Sequence, residues 1–339
     1  MKALYIIEPY KLEIRDIPIP KIKASDEILV KVMAAGICGS DMHNFHGTAS
    51  GIPYPVIPGH EMSGQVVETG SNVKNIAIGD HVVADVVSAC GHCYPCSIGR
   101  KNVCENIKAR GSHMDGCFCE YIVIKAADVY RCPENISWQR AALIEPYTIG
   151  GQCASVAKVK SGDVVYIIGA GPIGICIMQI CKLLNATVII SDLFDKRLKR
   201  AKEMGADFII NPKKENPEEV IPKIKNIRGI TVAVDTVGIP SIFEMLVKMI
   251  LPAGRIVSLS FSADPVSILP VDITKKEIMI CGSRMSCDQF PKVIRYFEEN
   301  KIDGTKLISK VFPFSEVLEA FHEAESNPEQ NCKILIDFT

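Results

Sequence analysis

Val164-Val-Tyr-Ile-Ile168 runs directly into Gly169-Ala-Gly171-Pro172-Ile173-Gly174, and a second apolar segment follows. The five residues before the first glycine are apolar and rich in β-branched side chains, which is typical of a buried strand. Between such a strand and a helix, the G-x-G-x-x-G pattern predicts a dinucleotide-binding turn. Gly169 permits the sharp bend, Gly171 lets the backbone approach a pyrophosphate, and Gly174 allows the helix to pack closely on the strand. The free N–H groups at the helix N-terminus suit phosphate oxygens, so Pro172 and Ile173 belong to the predicted cofactor site.

An acidic residue ends the next predicted strand. Asp192 stands 18 residues after Gly174, where a carboxylate can accept hydrogen bonds from both adenosine ribose hydroxyls. The same carboxylate repels a 2′-phosphate, so the sequence favours NAD over NADP. Arg197 is close enough to take part in cofactor binding. The alternative is that Asp192 caps the following helix.

Strands alternate with helices from about residue 163 onward. This alternation predicts a doubly wound parallel sheet, a Rossmann fold, with helices on both faces. The residues before about 148 form several short strands separated by Gly- and Pro-bearing turns, which favours a largely antiparallel β-domain. The tail after residue 288 is predicted to contain one helix, near 290–300, and one strand, near 332–337. The six predicted Rossmann strands are 164–168, 187–191, 207–210, 231–235, 255–259 and 277–281.

Length and composition restrict the class of protein. A chain of 339 residues suits two domains, each with its own core. The net charge is −1 with no block of like charge, which argues against a nucleic-acid partner. The N-terminal apolar run is too short for a signal peptide, and no apolar stretch reaches a membrane-spanning length. We therefore expect a cytoplasmic protein without a membrane partner, whose cysteines bind metal or pack in cores.

Four cysteines share one short loop. Cys90, Cys93, Cys96 and Cys104 form a C-x2-C-x2-C-x7-C run, in which four thiolates can converge on one ion. A closed tetrahedral set of four thiolates is typical of structural zinc. Disulfides and unrelated buried thiols are the simpler alternatives. An iron–sulfur cluster is a further rival, but the ferredoxin run closes with a nearer fourth cysteine followed by proline, whereas Glu105 follows here. The spacing favours zinc.

Two other segments carry side chains that bind metals, Gly36-Ile-Cys38-Gly-Ser40-Asp41-Met-His43 and Gly59-His60-Glu61. Taken alone, the cysteine could be a core residue and the His-Glu pair a surface feature. Together with the cysteine loop and G-A-G-P-I-G, in this order, the segments resemble the zinc-dependent medium-chain dehydrogenases, the alcohol and polyol dehydrogenase superfamily. The resemblance covers essentially the whole chain. It implies a GroES-like, β-rich catalytic domain, residues 1–148 and 285–339, and a Rossmann NAD-binding domain, residues 149–284.

The resemblance also implies a catalytic zinc with an open coordination position, in addition to the structural zinc of the cysteine loop. Cys38 and His60 would hold this ion, with Glu61 and Glu145 as carboxylate ligands. The sequence leaves open which carboxylate binds directly. Glu145 stands where many alcohol dehydrogenases have a second cysteine, and this exchange resembles the sorbitol, threonine and sugar-acid dehydrogenases. The residues of the cysteine loop and of the segment that begins at Glu145 resemble those of bacterial galactonate-type and starvation-sensing oxidoreductases.

In this family, zinc lowers the pKa of an alcohol and hydride passes from its carbon to NAD. The resemblance implies that the alcohol proton leaves through Ser40 and the cofactor ribose to His43 and then to solvent, a role that suits histidine as a residue type. It also implies that Asp41 orients the imidazole of His60. The expected substrate is a secondary alcohol, a polyol or a sugar acid of the galactonate or sorbitol kind. The alternatives are a threonine or butanediol dehydrogenase, and a catalytically degenerate zinc-binding regulatory or interaction protein.

Two further expectations concern the substrate and the assembly. Arg284 falls where relatives bring an arginine to the cofactor and substrate, so it could clamp the carboxylate of a sugar acid or form a structural ion pair. Relatives are homodimers or homotetramers that commonly pair through the edge of the Rossmann sheet. By analogy, residues 255–259 or 277–281 would form that edge.

Overall fold

Met1–Glu145 and Met285–Thr339 together build the first of two units, and Pro146–Arg284 builds the second. The computed structural model describes all 339 residues. No helix in it combines the length and the apolar character that crossing a membrane requires.

The first stretch of the chain is mostly strands joined by loops, with three short helices. Its elements are β1 (Lys2–Glu8), β2 (Lys11–Asp16), β3 (Glu27–Ile37), α1 (Gly39–Phe45), β4 (Glu61–Thr69), β5 (His81–Ala84), β6 (Val87–Ser88), α2 (Tyr94–Ser97), β7 (Lys108–Ala109), β8 (Tyr121–Lys125), β9 (Val129–Arg131) and α3 (Trp138–Ala142). The next helix, α4 (Ile144–Val156), carries the chain from the first unit into the second.

The second unit alternates strands with helices. Its elements are β10 (Val164–Ile168), α5 (Pro172–Leu183), β11 (Thr187–Ser191), α6 (Asp195–Glu203), β12 (Phe208–Ile210), α7 (Pro217–Val220), β13 (Ile230–Asp235), α8 (Pro240–Met249), β14 (Ile250–Ser258), α9 (Pro270–Lys276) and β15 (Met279–Gly282). The chain then returns to the first unit with α10 (Phe290–Glu298), β16 (Ile308–Pro313), α11 (Val317–Ser326) and β17 (Lys333–Asp337).

The main sheet of the first unit has the order β16-β17-β3-β4-β5-β9, and β8 also pairs with β3. All its pairs are antiparallel except β16 with β17, as the alternating strand patterns predicted. The register places Gly36 of β3 opposite Glu61 of β4, and Ile37 opposite Ile334 of β17. The end of β3 and the starts of β4 and β17 therefore lie side by side.

The C-terminal tail contains more structure than we predicted. The expected helix and strand are present as α10 and β17, but β16 and α11 lie between them. Val317, Ala320 and Phe321 form the buried face of α11 at helical spacing. Acidic residues lie next to these three in the sequence, so the apolar pattern is short and the segment is easily mistaken for a loop.

The sheet of the second unit has the order β12-β11-β10-β13-β14-β15 and is parallel throughout. This is the predicted doubly wound arrangement, with six strands and the first strand near the middle. One expectation about its edge is wrong. Segment 255–259 overlaps β14, which pairs on both sides, so of the two predicted segments only 277–281, which overlaps β15, lies at an edge of the sheet. Both predicted segments are apolar, and hydropathy alone does not show which of them lies at the edge of the sheet.

Candidate active site

The four cysteines of the predicted zinc loop lie together in the first unit. Their sulfur atoms are all within 4.8 Å of one another. Cys93 Sγ lies 3.4 Å from Cys96 Sγ and 3.7 Å from Cys104 Sγ. A disulfide requires about 2.05 Å, so all four cysteines are free thiols. Zinc–sulfur bonds of about 2.3 Å in a tetrahedron place the sulfurs about 3.8 Å apart, which these distances fit.

The charges within this loop also suit a cation. Hydrogen bonds from the backbone N–H groups of His92 and Cys93 lower the pKa of the Cys90 thiol to about 6. Desolvation and the Cys93 sulfur raise the pKa of the Cys96 thiol to about 12. The first thiolate therefore forms readily at neutral pH, whereas further thiolates repel it. A divalent ion removes that repulsion, which is the chemistry of a four-thiolate zinc site.

A second group of metal-binding atoms lies where β3 ends and β4 begins. One atom each from Cys38, His60 and Glu61 falls within 4.8 Å of the other two. His60 is 8% exposed and Glu61 is fully buried. This donor set contains a sulfur, an imidazole nitrogen and a carboxylate oxygen, all of which bind zinc in proteins. The structure thus brings together three of the four residues proposed for the catalytic ion.

Glu61 is held by a lysine that the sequence analysis missed. Lys333 Nζ, at the start of β17, lies 2.6 Å from Glu61 Oε1, and both side chains are buried. The same Nζ donates a hydrogen bond to Ile37 O at 3.2 Å. The other carboxylate oxygen, Glu61 Oε2, is buried and has no hydrogen-bond partner among the protein atoms. A buried oxygen of this kind is costly unless it has a partner, and a bound cation would supply one.

Gly36 leaves space for that oxygen. A Cβ atom at Gly36 would lie 2.2 Å from Glu61 Oε2, much closer than a nonbonded contact allows. The carboxylate cannot easily move aside, since Lys333 binds its other oxygen. A glycine at this point of β3 is therefore a requirement of the site, although its backbone is ordinary extended strand.

Asp41 connects the two loops that carry the proposed ligands. Its Oδ2 accepts a hydrogen bond from the Cys38 N–H at 2.8 Å, and its Oδ1 accepts one from the Gly59 N–H at 2.9 Å. The distance from Oδ1 to His60 Nδ1 is 3.8 Å, too long for a hydrogen bond. The resemblance implied that Asp41 orients the imidazole of His60, and the structure shows it accepting hydrogen bonds from the backbone N–H groups of the two loops that carry Cys38 and His60.

Glu145 lies outside the 4.8 Å group formed by the other three side chains. It is the second residue of α4 and is 4% exposed. Burial, opposed by the charge of His60 and reinforced by that of Glu61, raises the pKa of Glu145 to about 8. A second carboxylate charge is therefore unfavourable here unless a cation is present.

Ser40 and His43 are both exposed and lie on α1, three residues apart. Residues at this spacing are neighbours on one face of a helix. His43 Nδ1 lies 2.8 Å from Thr48 Oγ1, in the loop after α1. The sequence analysis had not singled out Thr48.

The glycine turn of the second unit has the geometry that phosphate binding requires. Gly169 follows β10 with a φ of +98°, in the region that favours glycine. A Cβ atom at Gly174 would lie 1.9 Å from Gly169 O, so the helix packs directly on the turn. A Cβ atom at Gly171 would meet nothing within 4 Å. The surface over Gly171 is thus open, and α5 begins at the next residue, Pro172.

Asp192 follows β11 and is 9% exposed. Its Oδ2 accepts a hydrogen bond from the Ala170 N–H at 2.9 Å, and its Oδ1 accepts one from the Phe194 N–H at 3.0 Å. The capping position of α6 belongs to Phe194, so Asp192 is not the helix cap of the alternative interpretation. Arg197 Nη1 lies 3.5 Å from Asp192 Oδ2, which places both predicted side chains together.

Arg284 ends the second unit just after β15. Its guanidinium carbon lies 6.0 Å from the ring centre of Phe261, in the range of a cation–π contact. The Phe261 side chain is 82% exposed, which is unusual for a phenylalanine. This contact with an aromatic ring is neither a carboxylate clamp nor an ion pair, so it does not decide between the two roles expected of Arg284.

Comparisons with known proteins assign the family. The family model "Alcohol dehydrogenase GroES-like domain" matches residues 24–134, and the model "Zinc-binding dehydrogenase" matches residues 172–299. Starvation-sensing protein RspB of Escherichia coli K12 is 39% identical, with 100% of both chains covered. Sorbitol dehydrogenase of Bacillus subtilis 168 is 31% identical, over 99% of this chain and 97% of that protein.

The fold agrees with this sequence similarity. A crystal structure of rspB from E. coli CFT073, complexed with NADH, has a TM-score of 0.94 at 39% identity and covers 100% of this chain and 99% of its own. The chain belongs to the zinc-dependent medium-chain dehydrogenase superfamily, whose members are NAD(P)-dependent alcohol and polyol dehydrogenases.

Proposed function

We propose that the protein is a zinc- and NAD-dependent dehydrogenase that oxidises a secondary alcohol of the polyol or sugar-acid class. The observation that carries this proposal is the group formed by Cys38, His60 and Glu61, with the unpartnered buried oxygen Glu61 Oε2. A group with only three protein ligands leaves a position for substrate, as catalytic zinc sites do. The cysteine loop offers four sulfurs, and we assign it the structural ion.

We assign each residue of the candidate site a separate role in the proposed reaction. When bound, zinc would supply a Lewis acid that lowers the pKa of the alcohol, and NAD would accept the hydride. Cys38 and His60 hold the ion, Glu61 contributes the oxygen that Lys333 leaves unbound, and Glu145 adds a nearby carboxylate. Ser40 and His43 move the alcohol proton toward solvent. The proposal assigns catalysis to residues 1–148 and 285–339 and cofactor binding to 149–284.

For the cofactor, we assign the pyrophosphate to the turn of Gly169, Gly171 and Gly174, together with Pro172 and Ile173 at the start of α5. Asp192, with Arg197 beside it, would bind the adenosine ribose of NAD.

Two glycine-to-alanine substitutions, each of which adds one methyl group, test this assignment. Gly171→Ala should leave stability nearly unchanged, because its Cβ meets nothing, yet weaken NADH binding because the methyl group occupies the pyrophosphate position. Gly174→Ala should destabilise the protein itself, since its Cβ would collide with Gly169 O. Fluorescence titration with NADH and thermal unfolding measure the two effects separately. Unchanged NADH affinity in Gly171→Ala would show that the pyrophosphate lies elsewhere.

Relatives suggest several substrates. Proteins similar to this chain include sorbitol dehydrogenases, L-threonine 3-dehydrogenases, a 2R,3R-butanediol dehydrogenase and a galactitol-1-phosphate dehydrogenase. We favour polyols and sugar acids. Arg284 could bind a sugar-acid carboxylate in bidentate fashion, which would favour a sugar acid over butanediol but not over threonine, an amino acid with its own carboxylate. Threonine or butanediol remains the second candidate, supported by relatives of comparable similarity.

The decisive experiment combines metal analysis with a substrate panel. We expect about two zinc ions per chain, one in the closed cysteine site and one in the open site of Cys38, His60 and Glu61. We also expect NAD reduction with at least one polyol or sugar acid, at a kcat/KM well above those for threonine and butanediol. About one zinc and no turnover with any alcohol would instead favour the degenerate, zinc-binding regulatory protein.

We further propose that the protein forms a homodimer, alone or within a homotetramer, through β15. This strand is an edge of the second unit's sheet, and Met279 and Ile280 on it are 44% and 37% exposed. An apolar edge strand readily pairs with a second copy. Ile280→Lys should therefore lower the mass found by light scattering, whereas Ile209→Lys on the opposite edge strand, β12, should not. Equal masses for both variants would place the interface elsewhere.

A further inference from the structure

The loop after α1 folds back onto His43. Gly47 has a φ of +68°, and a Cβ atom there would meet Pro9 Cγ at 2.7 Å, so glycine is needed for this turn. The turn brings the backbone N–H of Thr48 to His43 O at 3.0 Å, and that of Ala49 to the same oxygen at 3.4 Å. Two backbone hydrogen bonds thus place the Thr48 side chain beside the His43 ring.

The hydroxyl of Thr48 contacts two groups of His43. Oγ1 donates a hydrogen bond to His43 O at 3.3 Å and lies 2.8 Å from His43 Nδ1. A hydroxyl has one hydrogen, and its lone pairs can only accept. If the hydrogen goes to the carbonyl oxygen, the short contact with Nδ1 requires a hydrogen on Nδ1. Both contacts are satisfied together in only one neutral tautomer of the ring.

We propose that Thr48 is a positioning residue that fixes neutral His43 in the Nδ1–H tautomer and leaves Nε2 as the proton acceptor. A proton that arrives at Nε2 makes the imidazolium, in which both nitrogens donate. The bond from Nδ1–H to Thr48 Oγ1 then persists in both charge states, so the ring need not turn during proton transfer. This consequence for turnover rests on the proposed dehydrogenase function, whereas the tautomer itself does not.

The tautomer can be observed directly on the zinc-loaded protein. Histidine labelled with ¹⁵N, followed by long-range ¹H–¹⁵N correlation, separates protonated from unprotonated ring nitrogens. The chain has seven histidines, and the signals lost in His43→Asn identify those of His43. We expect Nδ1 to be protonated and Nε2 unprotonated at a pH where the ring is neutral.

Two variants at position 48 complete the test. Thr48→Val removes the hydroxyl at nearly constant shape, and we expect His43 to revert mainly to the Nε2–H form that an unconstrained neutral histidine side chain prefers. Thr48→Ser should restore the Nδ1–H form. The signals of His46, which contacts Glu325 at 2.8 Å, serve as the control and should not change. An Nε2–H ring in the unaltered protein, or no change in Thr48→Val, would overturn the proposal.

A kinetic measurement separates this inference from the dehydrogenase proposal. With an alcohol that the panel shows to be oxidised, Thr48→Val should lower kcat by roughly tenfold, a modest part of a general acid–base effect, with an unchanged KM for NAD. Thr48→Ser should recover kcat. If no alcohol is oxidised, the dehydrogenase proposal fails while the tautomer result stands. If kcat is unchanged although the tautomer shifts, Thr48 does not position the ring for proton transfer.

Discussion

His60→Ala is expected to lower turnover by more than about 100-fold, because the loss of a residue that merely supports a zinc ligand already costs about 10- to 100-fold. The same variant should reduce the metal content from about two zinc ions per chain to about one, since the closed cysteine site is untouched. Elemental analysis and NAD reduction with the best alcohol of the panel measure both effects. Glu61 and Cys38 alone are too few protein ligands to retain the ion firmly.

Two further variants serve as controls, one at a histidine outside the proposed site and one at a ligand of the other proposed zinc site. His322→Ala, on the exposed side of α11, should change neither zinc content nor turnover. Cys93→Ser should remove the other zinc and destabilise the loop, because its sulfur lies against those of Cys96 and Cys104. If His60→Ala keeps its full zinc content, His60 is not a ligand. If Cys93→Ser stays equally stable and loses only activity, the structural assignment of the loop is wrong.

Lys333→Met is expected to lower the free energy of unfolding of the zinc-depleted protein by about 3–5 kcal/mol, the usual cost of breaking a buried ion pair from one side. Lys333 Nζ and Glu61 Oε1 are 2.6 Å apart, and neither side chain is more than 2% exposed. Without the ammonium group, the buried Glu61 Oε1 loses its hydrogen-bond partner Lys333 Nζ. Urea unfolding followed by circular dichroism measures the loss.

Two comparisons decide whether the ion pair is responsible. Lys310→Met on the neighbouring strand β16 breaks an ion pair with Glu323 whose lysine is 47% exposed, and it should cost less than about 1 kcal/mol. The double variant Glu61→Gln with Lys333→Met should recover much of the stability, because neither member of the pair then leaves an uncompensated buried charge. Equal losses in the two lysine variants would show that burial of this pair contributes little.

Some features of the chain could be read from the sequence with the correct boundaries. The strand before the glycine turn was predicted at 164–168 and is observed there, and the next strand was predicted and observed at 187–191. Buried parallel strands are continuous apolar runs bounded by polar or glycine residues, so their limits are marked locally. The cysteine loop was predictable for a similar reason, because all four thiols lie within 15 residues of chain.

Other predictions failed where distant parts of the chain decide. The edge position of β15, rather than β14, depends on the order in which the strands assemble, which their similar hydropathy does not encode. The 3.8 Å separation between Asp41 Oδ1 and His60 Nδ1 likewise depends on how the two loops pack, which no local pattern encodes.

By itself, the sequence determined the doubly wound fold, because strand and glycine patterns are local. The cysteine spacing predicted the first metal site, and the family resemblance of short motifs predicted Cys38, His60, Glu61 and Glu145 for the second. Only the tertiary structure decided how Glu61 is held. Lys333 is 272 residues away and reaches the carboxylate through the antiparallel pairing of β17 with β3. Such pairing is selected by the burial of whole sheet faces and leaves no trace in a short window of sequence. One oxygen of the carboxylate is thereby bound to an ammonium group, and the other, which has no hydrogen-bond partner, is the one we propose for the metal ion.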